Sequence, residues 1–339
     1  MENIGVLDIF INCKDPKNNM NLDPLVSVIV PNYNHANFLE ERLNSIVNQT
    51  FKDYEIILMD DASTDQSVTI LKKFSTYSKV SHLVINKKNS GSPFKQWKKG
   101  IELAKGKYIW IAESDDSCKP IFIQELLSKF TNNIVLVYCA SRMIAEDGDF
   151  ISLDPWSQGN LNKRWAADYV NNGKVEIKDH LRYNNTIPNA SAVIFKKDAL
   201  TGINIPVKMR FCGDWYLWME ILKKGDLAFI HLPLNNFRNH QKTTRTIGDY
   251  RTEEARMKEY IFNIKNNSSL PERIKSADKY SWLINEMLRN KRKFKNYSVN
   301  KLKLPVDLLF LFFKNYIKNQ YLMLKAKIRN QLNYKKDKN

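Results

Sequence analysis

Four short apolar runs, separated by helix-spaced segments, constrain this chain more than any other feature. They are LVSVIV (25–30), EIILM (55–59), HLVIN (82–86) and YIWIA (108–112). Each is rich in β-branched or aromatic residues, the composition of a buried strand. Between them, FLEERLNSIVNQ places Leu39, Leu43, Ile46 and Val47 on one helical face. Val68, Leu71 and Phe74 do the same after DDASTDQS, and FKQWKKGIELA is a third helix. This βαβαβαβ order predicts an α/β fold, a mainly parallel sheet flanked by helices, with ligands beyond the carboxyl ends of its strands.

Three of those ends carry polar clusters: PNYN, DDAS and ESDD. Carboxylates held at the rim of a buried strand can share a hard divalent cation with phosphate oxygens, the remaining ligands coming from a diphosphate. A single Asp-Asp can equally cap a helix or sit in a solvated turn, and DDAST offers good capping chemistry for Asp60 and Asp61. The repetition at three strand ends favours a ligand site.

With 339 residues, 43% of them hydrophobic, the chain can build a substantial core. The formal charge of +17 raises the question of a nucleic-acid partner. Residues 270–339 hold 18 Lys plus Arg against 5 Asp plus Glu, a balance of +13, so the body of the chain is near neutral. Cys13, Cys118, Cys139 and Cys212 show no metal or disulfide spacing, which suits a reducing compartment. The N-terminus lacks a signal-peptide pattern, and no apolar run approaches the roughly 18 residues needed to span a bilayer. The expected location is cytoplasmic.

The stretch VSVIVPNYNHANFLEERLNSIVNQTFKDYEIILMDDASTDQS, then NSGSPFKQWKKGIELAKGKYIWIAESDD, resembles the nucleotide-sugar-binding half of family 2 of the inverting glycosyltransferases, which have the GT-A fold. The resemblance continues more weakly at NASAVIFKKDAL, GDWYLWMEIL and FRNHQKTT. It implies an N-terminal extension (1–23), a nucleotide-sugar-binding half (24–145), an acceptor half with the catalytic base (146–250) and a helical, strongly basic C-terminal region (251–339). The implied activity moves a sugar from a UDP-sugar to a hydroxyl of a glycan or lipid-linked glycan, with Mg²⁺ or Mn²⁺.

The resemblance also implies residue roles. Pro31 and Tyr33 would lie against the base, with Tyr33 stacking, and Asp61 would accept from the uracil N3–H. SDD matches the DXD-type motif, with Asp116 as the metal ligand and Asp115 facing the ribose or donor sugar. Ser114 stands where many members carry Asp. Asp214 would be the base that deprotonates the acceptor, although Asp at a helix start can also be only a cap. Gly213 stands where members often carry a second acid. His240 would lie near the diphosphate or metal, with Arg238 and Lys242 balancing phosphate charge. Trp156, Trp165 and Tyr169 suit either acceptor contacts or core packing.

Other enzyme classes lack their signatures. A nucleotidyltransferase needs a Gly-rich phosphate loop and a dinucleotide oxidoreductase needs G-x-G-x-x-G, where this chain has PNYNHANF. A non-enzymatic nucleic-acid or anionic-surface binder using the basic tail leaves the three strand-end clusters without a role, so no nucleic-acid partner is expected. The tail segment PVDLLFLFFKNYIKNQYLMLKAKIR brings Leu309, Phe312, Phe313, Tyr316 and Leu324 near one helical face among lysines. It reads either as a packed helix or as one lying on an anionic membrane surface.

Overall fold

The computed structural model describes residues 9–12, 23–153, 162–240, 248–314, 316, 317, 321 and 325. They divide into two compact units, Met1–Thr244 and Arg245–Asn339.

The first unit is built on one mixed sheet. Its opening elements are β1 (Ile9–Asn12), β2 (Val26–Asn32), α1 (Ala36–Val47), β3 (Tyr54–Asp60), α2 (Ser67–Phe74) and β4 (Val80–Ile85). Then come α3 (Pro93–Leu103), β5 (Tyr108–Ile111), β6 (Ser117–Cys118), α4 (Phe122–Ser128), β7 (Ile134–Ile144) and β8 (Phe150–Leu153). The last are α5 (Asn162–Trp165), β9 (Tyr169–Asn171), α6 (Gly173–Glu176), β10 (Val193–Lys196), α7 (Gly213–Leu222) and β11 (Asp226–Arg238). The strand order is β1-β4-β3-β2-β5-β10-β7-β11-β6, with β8 on β7 and β9 on β11.

The four strands read from the sequence form the parallel block β4-β3-β2-β5. Chain order reverses between β2 and β5, which makes their carboxyl ends the crevice of the fold. Register levels the rim: Asn32 pairs with Asp60, and Asp60 with Ile85. Antiparallel β10 enters between β5 and β7 and joins the two halves of the sheet.

Helices cover both faces. Leu39, Leu43 and Ile46 of α1, Leu71 and Phe74 of α2, and Phe122 and Leu126 of α4 share a core with Val28, Val30, Leu58 and Trp110. On the opposite face α3 presses close enough that a Cβ on Gly100 would meet Ile29 and Met59. There Trp218 of α7, fully buried, packs 6.2 Å from the Trp97 ring and 5.7 Å from that of Phe195. Trp218→Ala is therefore expected to cost about 3–5 kcal/mol, read as a lower unfolding midpoint in denaturant titration.

Two residues that the sequence left open between acceptor contact and packing are packing residues. Trp165 is buried and donates to the Tyr138 hydroxyl at 3.0 Å, and the Tyr169 hydroxyl lies 2.6 Å from the same oxygen. Arg164 closes this network on buried Glu176. Trp156 lies outside the described residues.

The second unit is helical: α8 (Tyr250–Asn266), α9 (Leu270–Lys275), α10 (Ser281–Lys293) and a further helix from residue 306. Asp249 caps α8 by accepting from the Thr252 N–H at 2.9 Å, and Ser269 with Glu272 forms a capping box on α9. Arg273 ties α9 to Asp307 at 2.8 Å. No helix among the described residues is long and apolar enough to cross a membrane.

Candidate active site

The site begins with the turn between β2 and α1. Pro31 is buried at the strand end, while Tyr33 is 44% exposed at the rim, so its ring is free to receive a planar ligand. Asn34 is left-handed (φ 55°), and its side-chain oxygen accepts from the Thr64 N–H at 2.7 Å while Ser63 Oγ accepts from its own N–H at 2.9 Å. This turn is thereby fastened to the one after β3.

At that second turn Asp60 and Asp61 diverge. Asp60 accepts from Asn32 Nδ2 at 2.9 Å and from the Ser63 N–H at 2.8 Å, which joins the two strand ends. Neither Asp caps α2, because the helix starts at Ser67 and Asp65 accepts from the Ser67 N–H instead. Asp61 is buried and accepts from Asn86 Nδ2 at 2.7 Å, the Ser90 N–H at 2.9 Å and Ser90 Oγ at 2.8 Å. It faces the loop after β4, held by donors that orient it. Ala62 follows with φ 61°, a conformation that costs about 1–2 kcal/mol for a residue with a Cβ.

At the third turn, ESDD, the two neighbouring acids take different partners. Asp115 Oδ2 meets His240 Nε2 at 3.0 Å, and His35 Nδ1 meets Ser114 Oγ at 2.8 Å. The His35 and His240 rings are 5.4 Å apart, edge to face. One ligand atom from each of His35, Asp115 and His240 lies within 4.8 Å of the others. Burial raises the Asp115 carboxyl, but the His240 hydrogen bond and the charges of His35 and His240 outweigh it and hold it low.

Asp116 lies outside that group. It is buried, accepting from the Arg238 N–H at 2.9 Å and Asn189 Nδ2 at 3.0 Å, and burial plus the Asp115 charge push it up. Of the acid read as metal ligand and the acid read as sugar contact, the second, Asp115, faces the histidines, and the first, Asp116, faces the Arg238 N–H and Asn189. Arg238 is also not available to phosphate. Its guanidinium donates to the carbonyls of Asp115, Ala145 and Glu146 and pairs with Glu41, all within the protein. Lys242 lies outside the described residues.

Asp214 occupies the first turn of α7, where the helix dipole favours a carboxylate. Asn185 Nδ2 donates to its Oδ2 at 3.1 Å. Because Asn189 holds Asp116, residues 185–189 tether α7 to the ESDD turn. A second tether runs through Trp97, which donates to Glu113 Oε1 at 2.8 Å and lies against Trp218. Burial first, then the Asp115 charge, pushes Glu113 up to about 8. A Cβ on Gly213 would fall 2.6 Å from the Phe94 ring, so a second acid cannot stand there unless Phe94 moves.

Sequence reasoning missed His35, Asn185 and Asn189. His35 was visible inside PNYNH, two residues past Tyr33, but only the approach of residue 240 makes it a ligand candidate. The two asparagines carry no local signal.

Comparison with known proteins agrees with this architecture. The family model described as "Glycosyl transferase family 2" matches residues 27–200. A Bacillus subtilis glycosyltransferase whose name assigns it to teichuronic acid biosynthesis is 27% identical over 214 residues, 62% of this chain and 76% of its own. Glycosyltransferase GlyG of Streptococcus pneumoniae is 39% identical over 105 residues, 31% of this chain and 35% of its own. Among solved structures, residues 1–349 of S. aureus TarS in complex with UDP-GlcNAc superpose with TM-score 0.55 at 18% identity, covering 85% of this chain and 78% of that one. A mannosyltransferase from Pyrobaculum calidifontis in complex with GDP-Man and Mn²⁺ gives TM-score 0.54 at 17% identity, covering 80% and 72%.

Proposed function

The chain belongs to glycosyl transferase family 2, and from that premise we propose that it transfers a sugar, with inversion, from a UDP-sugar to a hydroxyl of a glycan or lipid-linked glycan at the cytoplasmic face of the membrane. The observation that carries this reading is the meeting of His35, Asp115 and His240 at the carboxyl ends of the parallel strands. Their donor set, two imidazole nitrogens and one carboxylate, fits a divalent cation, and the Mn²⁺ in the mannosyltransferase complex supports Mn²⁺ as that ion. A bound cation would neutralise the charge that builds on the departing diphosphate.

The chain's own residues do the rest. Tyr33 and Pro31 receive the base, and Asp61 presents a fixed acceptor to its edge. Asp116 fixes the third turn by holding the Arg238 N–H and Asn189. Asp214, oriented by Asn185, takes the proton from the attacking acceptor hydroxyl. A single displacement follows, so the product bond has the opposite anomeric configuration and no covalent enzyme intermediate forms. The UDP-GlcNAc bound to TarS and the GDP-Man with Mn²⁺ bound to the mannosyltransferase support a nucleoside diphosphate sugar on this fold.

The test is a screen of UDP-sugars for release of UDP with Mn²⁺, Mg²⁺ or chelator. Mn²⁺ is expected to give the fastest turnover and chelator to stop it. Equal rates in chelator and Mn²⁺ would remove the ion from the account.

A further inference from the structure

The last described helix leaves an apolar stripe uncovered. Residues 306–314, 316, 317, 321 and 325 are helical, and Leu308, Leu311 and Phe312 of this helix are buried. On the other side Val306, Phe310, Phe313, Ile317 and Tyr321 are 79%, 73%, 53%, 66% and 63% exposed. Steps of four, three, four and four residues hold these five within about 80° of one another around the helix axis. Phe312 and Phe313, which the sequence reading placed on one face, point about 100° apart, one inward and one outward.

A lone exposed Phe needs no explanation, but five large apolar side chains in one stripe do. Charge selects the cover. Lys314 and Lys325 of this helix are exposed, as is Lys303 just before it, in a region with a balance of +13. That charge opposes a second copy of the same face, and an apolar stripe offers nothing to a sugar-phosphate backbone. We propose that this helix docks in the plane of an anionic lipid bilayer, its five apolar side chains entering the headgroup boundary and its lysines meeting lipid phosphates.

The inference rests on the proposed function only for its purpose, which is to hold the enzyme on the surface that carries a lipid-linked acceptor. Vesicle binding itself needs neither nucleotide nor turnover, so the two readings fail separately. The experiment is sedimentation of the full chain with phosphatidylcholine vesicles, with and without phosphatidylglycerol. Binding to anionic vesicles is expected at low salt, at least about tenfold weaker on neutral ones and weakened by roughly 0.5 M salt.

Phe310→Ser combined with Ile317→Ser changes only exposed positions, so helicity by circular dichroism should be unchanged while vesicle affinity falls at least about tenfold. Wild type that ignores anionic vesicles at low salt overturns the proposal. So does a folded double variant that sediments like wild type. A double variant that turns a dimer into a monomer by light scattering, with vesicle binding unaltered, assigns the stripe to a second copy and overturns it too.

Discussion

Asp214→Asn is expected to lower kcat by roughly 10² to 10⁴, about 3–5 kcal/mol of transition-state stabilisation, while the affinity for UDP stays within about twofold of wild type. The asparagine keeps the size of the side chain and an oxygen that Asn185 can still reach, so the start of α7 should hold its place. What it loses is the basicity needed to take the acceptor proton. Single-turnover kinetics with saturating UDP-sugar, alongside UDP titration, separate the two quantities. A variant with wild-type turnover reduces Asp214 to a helix-start carboxylate, and a variant that also loses UDP affinity shows a wider structural role.

His240→Ala is expected to lower Mn²⁺-dependent UDP affinity by roughly 10² or more, beyond the 10–100-fold typical of losing a residue that only supports a metal ligand. Asp115→Asn should act in the same direction, since the amide no longer offers a charged oxygen to the ion. Asp116→Asn supplies the contrast. Its oxygens hold the Arg238 N–H and Asn189, so that substitution should act mainly on thermal stability and turnover, leaving an Mn²⁺ effect on UDP affinity. Isothermal titration of each variant with UDP, in Mn²⁺ and in chelator, reads all three. If Asp116→Asn alone abolished the Mn²⁺ effect, the ion would belong to the second acid of the motif.

Much of the parallel core was legible because its signals are local. Continuous apolar runs and period-3.6 patterns marked β2 to β5 with α1 to α3, and the polar clusters named the rim where the three turns meet. Assigning roles within the rim needed long-range pairing. Asp115 and Asp116 are chemically alike in sequence, and what parts them is β11, whose Arg238 N–H and following His240 arrive from more than a hundred residues away. Tyr169 and Trp165 stood open between acceptor contact and packing until Tyr138 of β7 supplied their hydroxyl partner. The outward stripe of the last helix was hidden for the same reason, since only packing shows that Phe312 turns in and Phe313 turns out.

The claim that a cation at His35, Asp115 and His240 couples the ESDD turn to the diphosphate is met most directly by titrating the wild-type protein with UDP, first in Mn²⁺ and then in excess chelator. The account predicts affinity at least about tenfold stronger with Mn²⁺, lost on chelation and restored when the metal is returned. Equal affinity in the two conditions would contradict it.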